Sequence, residues 1–376
     1  MRIKFLFLVI ISACACSSLP IKEKSEFNEA VIEKPKLDYK VNYLPETINI
    51  YFSQGKDDSK LPPEIQGFIT NSYYYNSKIS YTPKIILTPV GKEKCEINDE
   101  LEDLYIVFDL KYLPLSAKEK NCFEGLPKSK TIYISNKELN GNYPNNLLVS
   151  RSLERDKLID SIPQNIKRIA LIDSKKIDER NKLISLLEDK NIEIVESKTF
   201  DGKLSSQEIF STILLESRSK ERARKMSRRL SRNLVSSNRI RQDIDGFFFS
   251  VDLKNARSLK PALDYISERN FDIFILNSWK SNDIYKIIDK DLEGTFNSDL
   301  PIMMPIKLPI EISKDNRTRE FAIGYDTYEI ILIKYGSVRA REYDYQGLSG
   351  KFKIKNGQAD RSPYLFKITN NGIEIL

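Results

Sequence analysis

From Thr47 onward, short apolar runs alternate along the chain with stretches in which apolar residues recur three and four positions apart. The first pattern predicts strands and the second predicts one face of a helix. The predicted strands are 47–52, 84–88, 104–110, 131–135, 146–150, 168–173, 192–197, 246–251 and 271–277. The predicted helices between them are 63–75, 152–162, 178–189 and 256–269.

The first residues have a different pattern. Arg2 and Lys4 precede a continuous apolar run, 5–11, and small residues then lead to Cys14. This order is typical of an export signal, and seven apolar residues are too few to span a bilayer, which needs roughly 20. A cysteine directly after Ile11-Ser12-Ala13 indicates a bacterial lipobox, so we predict a signal peptide at 1–13 and acylation of Cys14.

Two alternatives at the N-terminus stay open. One is a secretory peptide without lipidation, and the other is lipidation at Cys16, which lacks an aliphatic residue three positions upstream. Ala15, not aspartate, follows Cys14, so the inner-membrane retention signal of Gram-negative bacteria is absent. We therefore predict a protein anchored in the outer membrane that faces the periplasm.

Residues 14–44 are rich in Ser, Lys, Glu, Pro and Asn, and this composition predicts a flexible tether of at most about 100 Å when taut. Residues 45–376 then form the folded domain. Strands that alternate with helices indicate βαβ units and parallel sheets, and one such series ends near 150 where another begins. We predict an α/β fold of the two-lobed type I periplasmic-binding-protein-like kind, with mainly parallel sheets flanked by helices and lobe crossovers near 150 and 265.

Composition limits the chemistry. The 376 residues include no histidine, which excludes Ser-His-Asp and Cys-His catalysis, histidine general bases and histidine-ligated zinc. No spacing singles out a carboxylate pair either, so we predict no catalytic residue, no metal site and no cofactor. The 60 basic and 53 acidic residues give a net charge of +7, and loss of Arg2 and Lys4 with the signal leaves +5. In an exported protein this excess favours anionic lipid, a glycan or an acidic protein surface over nucleic acid.

Cys95 and Cys122 are the cysteines that remain after the N-terminal pair. In an oxidising compartment two cysteines are more often bridged than free, so we predict a disulfide between them, with two free thiols as the alternative.

The strongest charge feature is the segment 218–232, in which eight basic residues face a single acid, Glu221. Ala223, Met226 and Leu230 recur near helical spacing, so the segment predicts an amphipathic helix with a basic outer face. Such a face is usually a solvated surface. The sharper hypothesis is a docking face for an acidic partner surface, an anionic glycan strand such as peptidoglycan, or phospholipid headgroups. Its candidate residues are Arg222, Arg224, Arg228 and Arg229.

Three stretches in the second half resemble one known family. A basic cluster ending in Asp-Ile-Asp, 239–245, runs into an aromatic strand; 321–328 is similar to an Ala-Leu-Gly-x-Asp-x-Tyr helix; and 347–350 is similar to a Gly-Leu-Thr-Gly turn. In this order they resemble the LpoA family of outer-membrane lipoprotein activators of class A penicillin-binding proteins. Tyr325 and Glu329 depart from the family, which usually has an aliphatic residue and often an arginine there. The motif positions are Arg239, Arg241, Asp243, Asp245, Gly324, Asp326, Tyr328, Gly347 and Gly350.

The resemblance implies a non-catalytic protein that binds a class A penicillin-binding protein and stimulates peptidoglycan synthesis. Longer family members carry a helical-repeat domain before the binding-protein-like domain, where this sequence has only the predicted tether. Each motif also has a structural interpretation, as a capping loop, a helix-packing position or a turn. The alternative function is a lipid-anchored solute-binding protein that captures a small ligand between its lobes, with Trp279 and Tyr325 as candidate stacking surfaces. The hypothesis of a hydrolytic enzyme is the weakest, because the sequence has no histidine and no nucleophile motif.

Overall fold

The computed structural model describes most of the chain from Leu44 to the C-terminus. The described residues are 44–53, 60–76, 82–90, 103–110, 126–135, 146–149, 152–174, 177–231, 240–267, 269–276, 290–304, 306–308, 310–336, 342–355 and 358–376. Several predictions therefore concern residues outside the described ranges: the signal peptide, Cys14, the tether, Cys95, Cys122, Arg239 and Trp279.

Strands and helices alternate through the described residues. The strands are β1 (Thr47–Ser53), β2 (Lys84–Val90), β3 (Asp103–Asp109), β4 (Thr131–Ser135), β5 (Asn146–Leu148), β6 (Arg168–Asp173), β7 (Glu193–Thr199), β8 (Gly246–Ser250), β9 (Asp272–Ile275), β10 (Phe296–Asp299), β11 (Glu342–Gly347), β12 (Gly350–Lys355), β13 (Gln358–Ser362), β14 (Tyr364–Thr369) and β15 (Gly372–Ile375). The helices are α1 (Pro63–Asn76), α2 (Ser152–Asp160), α3 (Ile177–Asp189), α4 (Ser206–Ile213), α5 (Glu216–Leu230), α6 (Leu253–Ile266) and α7 (Arg319–Gly336).

The strands form three sheets. The first has the order β2-β1-β3-β4-β5 and is parallel throughout. The second has the order β15-β14-β10-β9-β8-β6-β7, parallel from β10 to β7 and antiparallel at β14 and β15. The third, β11-β12-β13, is an antiparallel meander. The predicted α/β class with mainly parallel sheets is therefore confirmed.

The central strand β8 shows why the parallel sheets form where they do. Its three consecutive phenylalanines, Phe247, Phe248 and Phe249, are completely buried. A parallel strand covered by helices on both faces is apolar at every position and not only at alternate ones. Phe247 and Phe249 belong to one side of the sheet with α4 and α6, and Phe248 belongs to the other with α2 and α3.

Helix α7 joins the hydrophobic cores of the two large sheets. Its first half contributes Phe321 and Tyr325 to the core around β8, while Tyr328 and Ile331 belong to the core around β1. The chain passes from the first sheet to the second between β5 and β6, and α7 packs against α1 beside the first sheet. β9 and β10 follow residue 265 and still lie in the second sheet. The sheet order therefore favours a second crossover between the lobes later in the chain than residue 265. The lobe limits near 150 and 265 stay a prediction.

No helix in the part of the chain that the structure describes is both long enough and apolar enough to cross a membrane.

Candidate functional site at the lobe junction

Several of the predicted motif positions meet at one place in the structure. Helix α7 carries Gly324, Asp326 and Tyr328, and the tight turn between β11 and β12 carries Gly347 and Gly350. The side chain of Asp326 is fully buried inside this turn, so residues more than 20 positions apart in sequence form one interlocked unit.

Asp326 is held by four donors. Its Oδ1 accepts hydrogen bonds from the Tyr345 hydroxyl at 3.0 Å and the Leu348 backbone N–H at 2.9 Å. Its Oδ2 accepts from the backbone N–H and the hydroxyl of Ser349, both at 2.6 Å. Each carboxylate oxygen thus faces a backbone N–H, which can only donate. Asparagine would place an amide NH₂ against one of these donors in either orientation, so the turn requires an acid.

The two glycines of the turn are required by space and backbone conformation. A Cβ at Gly347 would lie 2.4 Å from Oδ2 of Asp326, inside the space that the carboxylate occupies. Gly350 has φ +144°, a conformation that residues with a side chain rarely adopt, and a Cβ there would lie 2.6 Å from the Ser362 carbonyl oxygen. The Gly-Leu-Ser-Gly motif therefore has a structural role as the socket for Asp326.

Burial raises the pKa of Asp326 to about 7, although the hydrogen bonds from Ser349 and Leu348 and the charge of Arg361 favour the carboxylate. Because the folded protein then holds this proton more tightly than the unfolded chain, the linked stabilisation is complete below about pH 4 and is lost as the pH rises through about 7.

We expect Asp326→Asn to lower the free energy of unfolding by about 1–3 kcal/mol at acidic pH, because both oxygens of the protonated carboxyl group can still accept from a backbone N–H and an amide nitrogen cannot. Only the wild type carries this titrating group. The difference in unfolding free energy between wild type and variant should therefore shrink as the pH rises from about 4 to about 7. Urea unfolding of both proteins across this range measures the difference, with Asp344→Asn on the exposed side of β11 as the matched control. An advantage that stays constant with pH would contradict the prediction.

Helices α1 and α7 contact each other backbone to backbone. A Cβ at Gly324 would lie 1.8 Å from the Glu64 carbonyl oxygen, and a Cβ at Gly67 would lie 2.0 Å from the Phe321 carbonyl oxygen. The two glycines thus face each other's helix and allow a spacing that no other residue permits. Gly324, predicted from the motif, is therefore a helix-packing position.

The three motif-linked side chains that follow on α7 are buried between the helices. Tyr328 packs edge-on against Phe68, with 5.2 Å between ring centroids. The Tyr75 hydroxyl donates to Glu329 Oε1 at 2.9 Å. Tyr325 is only 1% exposed and stacks on Phe321. The suggestion that Tyr325 offers a stacking surface to a ligand is therefore wrong, because its ring is enclosed by the helix contact.

A buried charge cluster lies next to this unit and was not predicted from the sequence. The Arg319 guanidinium donates to Glu154 Oε1 at 3.1 Å and forms an ion pair with Asp299, and Arg361 Nη2 lies 3.6 Å from the same Glu154 oxygen. All four side chains are at most a tenth exposed. Arg361 Nη1 also donates to the Ser349 carbonyl at 2.9 Å, which links the cluster to the Asp326 socket.

The position of this cluster in the fold is informative. Glu154 lies on α2, directly after the first sheet, and Asp299 is the last residue of β10. Arg319 is the first residue of α7. Arg361 lies on β13, which is followed by β14 of the second sheet. Each residue thus lies beside one of the chain segments that connect the two large sheets. We define these four residues as the junction cluster, and the cluster ties the connections to one another.

The remaining motif residues that the structure describes, Arg241, Asp243 and Asp245, lie in the loop before β8. Arg241 donates to both oxygens of Asp243 at 2.7 and 2.6 Å, and this hydrogen bonding lowers the pKa of Asp243 to about 2. Asp245 Oδ2 accepts the backbone N–H groups of Lys167 and Arg168, each at 2.9 Å. These contacts order the loop before β8 and satisfy backbone donors, which fits the capping interpretation of this motif.

The predicted basic helix is α5, and it stands out from the body of the protein. Glu216 is its buried residue, while Arg222, Arg224, Arg228 and Arg229 are exposed. The apolar side was expected to be an inner face, but Met226 and Leu230 are 58% and 55% exposed, because the body of the protein covers only part of that side.

Within the described residues, no group of three or more His, Cys, Asp or Glu side chains has an arrangement that could hold a metal ion. The hydrogen bonds and ion pairs at the junction are packing contacts, and α5 is a charged surface.

A family model described as "LppC putative lipoprotein" matches residues 188–361. The matched segment includes α5, all of α7 and the β11–β12 turn, so it contains the Asp326 socket and all its hydrogen-bond donors. The chain resembles this lipoprotein family over that segment, as the motifs predicted. No curated protein matches the sequence.

Solved structures show the fold. A protein from Rhodospirillum rubrum described as "a putative branched-chain amino acid ABC transporter" aligns with a TM-score of 0.54 and 9% identity, over 89% of this chain and 100% of its own. The C-domain of LpoA from Haemophilus influenzae, described as a regulator of PBP1A, aligns with a TM-score of 0.50 and 11% identity, over 88% of this chain and 99% of its own.

Full-length LpoA from Haemophilus influenzae aligns with a TM-score of 0.50 and 11% identity, over 89% of this chain but 60% of its own. The chain therefore spans about three fifths of full-length LpoA. At these identities the likeness shows the fold alone, and the predicted periplasmic-binding-protein-like fold is confirmed.

Proposed function

We propose that this protein is a non-catalytic lipoprotein that binds a class A penicillin-binding protein and stimulates its synthesis of peptidoglycan. The observation that carries the proposal is the match of residues 188–361 to a lipoprotein family, over the segment that holds the interlocked α7–turn motif. The likeness to the LpoA C-domain supports the same architecture.

Cys14 is the proposed site of lipid attachment. Acylation there would anchor the chain in the outer membrane, with the folded domain in the periplasm at the end of the 14–44 tether. A flexible 14–44 segment would span at most about 100 Å, so the partner would have to extend toward the outer membrane to meet the domain.

Stimulation requires differential binding. A regulator raises the activity of its partner only if it binds the active conformation more tightly than the inactive one. A rigid surface does this at lower entropic cost than a flexible one. The junction cluster fits this need, because its ion pairs link residues beside the connections between the two sheets.

An affinity capture tests the partner. Detergent-solubilised envelopes are passed over the full lipoprotein as bait, and bound proteins are identified by mass spectrometry, with Asp344→Asn bait as a folded control. We expect a class A penicillin-binding protein among the captured proteins. Capture of a transporter subunit in its place would contradict the proposal and favour a lipid-anchored solute-binding protein. The likeness to the Rhodospirillum rubrum protein supports that alternative only at the level of fold.

A further inference from the structure

Helix α5 has the geometry of a helix that lies on a surface. Its 15 residues give a length of about 22 Å. Ser219, Ala223 and Ser227, spaced four apart, are half-buried and form the line along which the helix meets the body of the protein. Met226 and Leu230 lie on the same side toward the C-terminal end, but both are more than half exposed. At 3.6 residues per turn, Arg218, Arg222 and Arg229 lie on the flank beside Met226, and Arg224 and Arg228 lie on the opposite side of the helix.

The charges on α5 are not equally available. Lys220 is paired with Glu216 at 2.5 Å, and Lys225 is paired with Glu221 at 2.8 Å. These pairs neutralise the two lysines. In the described part of the chain, no carboxylate lies within ion-pair distance of the five arginines, which are Arg218, Arg222, Arg224, Arg228 and Arg229. The surplus positive charge of the helix is therefore carried by guanidinium groups, which bind phosphate through paired N–H donors.

We propose that α5 binds the headgroups of anionic phospholipids and holds the folded domain against the membrane surface. Arg218, Arg222 and Arg229 would contact lipid phosphates while Met226 and Leu230 enter the boundary between headgroups and acyl chains. A helix with large apolar side chains flanked by basic residues is the arrangement found in interfacial helices. Each arginine near an anionic surface adds to the attraction.

A bilayer fits these observations better than an acidic protein or a glycan strand. Exposed Met226 and Leu230 gain nothing from a polar glycan, and a flat bilayer that takes up Met226 presents phosphates to Arg218, Arg222 and Arg229 at once. This part of the argument rests on the proposed lipid anchor: attachment at Cys14 would keep the helix within tether length of a membrane, which raises the effective concentration of headgroups.

Vesicle co-sedimentation tests the proposal without the anchor and without a penicillin-binding protein. The mature chain, residues 14–376 with Cys14→Ser and Cys16→Ser, lacks the apolar signal and cannot be acylated. It is mixed with vesicles of phosphatidylglycerol and phosphatidylcholine or of phosphatidylcholine alone. We expect binding to the anionic vesicles only. The combined change R222Q, R224Q, R228Q and R229Q should weaken it by about tenfold or more, because Arg222 and Arg229 face the bilayer and Arg224 and Arg228 contribute only screened charge. The matched control is E221Q with K225Q, which removes an exposed ion pair from the same helix without changing its net charge and should retain most of the binding.

The outcomes separate the possible partners. High salt should reduce binding, because screening weakens surface electrostatics, and Met226→Ser with Leu230→Ser should reduce the fraction that persists in salt. Equal sedimentation of wild type and quadruple variant, or no binding to anionic vesicles, would overturn the proposal. If the wild type does not bind vesicles and the quadruple variant no longer captures the penicillin-binding protein, α5 binds a protein partner and not lipid. If the quadruple variant loses the vesicle binding of the wild type but still captures the penicillin-binding protein, the result supports the lipid role and does not affect the proposed function.

Discussion

Replacing Gly324 by alanine is expected to destabilise the protein by roughly 3 kcal/mol or more, the reverse of what this change does in an exposed helix. Alanine has the higher helix propensity by about 1 kcal/mol, so an unconstrained site would gain stability. Here the added methyl group would lie 1.8 Å from the Glu64 carbonyl oxygen. The obstacle is backbone, so α1 would have to move as a whole.

Urea unfolding of purified wild type and Gly324→Ala measures this effect. Gly67→Ala, on the opposite side of the same contact, should have a comparable effect, because its Cβ would lie 2.0 Å from the Phe321 carbonyl oxygen. Lys182→Ala on the exposed side of α3 is the control and should stay within about 0.5 kcal/mol of wild type. Unchanged or increased stability of Gly324→Ala would mean that the helices are not in backbone contact.

Replacing Arg319 by methionine is expected to cost about 3–5 kcal/mol of unfolding free energy. Methionine fills a similar volume, but Glu154 and Asp299 would then be buried without their shared guanidinium. Removal of one partner leaves an uncompensated charge, whereas removal of both often costs little. The double variant Arg319→Met, Asp299→Leu should therefore regain part of the lost stability.

The control for Arg319 is Lys225→Met, which breaks an exposed ion pair with Glu221 and should change stability by less than about 1 kcal/mol. Thermal and urea unfolding of the three variants measure the comparison. If Arg319→Met unfolds with the wild-type free energy, or if the double variant is no better than the single one, the junction cluster does not stabilise the connections between the sheets.

The parts of the fold that follow a local pattern were predictable from the sequence. The three phenylalanines of β8 and the helical spacing of α3 identify their elements without tertiary information. The helix α4 was not predicted, yet Ser205 and Glu208 form a capping box whose spacing is visible in the sequence. That signal was available and could have identified the helix.

Other features depend on contacts that no local pattern shows. β10 was missed because Asn297, Ser298 and Asp299 are polar and yet buried, where Asn297 bonds to Thr295 and Asp299 pairs with Arg319. The junction cluster joins residues separated by up to 207 positions, and each alone resembles an ordinary surface charge. The exposure of Met226 and Leu230 likewise depends on where the body of the protein ends, which the helical period does not reveal.

The motif positions show the same division. Order and spacing placed Asp326 on a helix and two glycines in a turn, but the sequence did not indicate that the turn encloses the carboxylate. The physical reason is that the socket is made by backbone N–H groups, and their direction depends on the turn conformation and not on residue type. The motif residues of α7 and of the β11–β12 turn therefore meet in the structure, which shows their role in packing.

The central claim is that the protein stimulates a class A penicillin-binding protein, and reconstitution tests it most directly. The purified partner, in detergent with lipid-linked peptidoglycan precursor, is assayed for glycan polymerisation and cross-linking with and without a saturating amount of the full lipoprotein. We predict a higher rate of at least one reaction, and a smaller increase with Arg319→Met at a temperature where that variant is folded. A rate that does not change at saturation, with folded protein and active enzyme, would contradict the account.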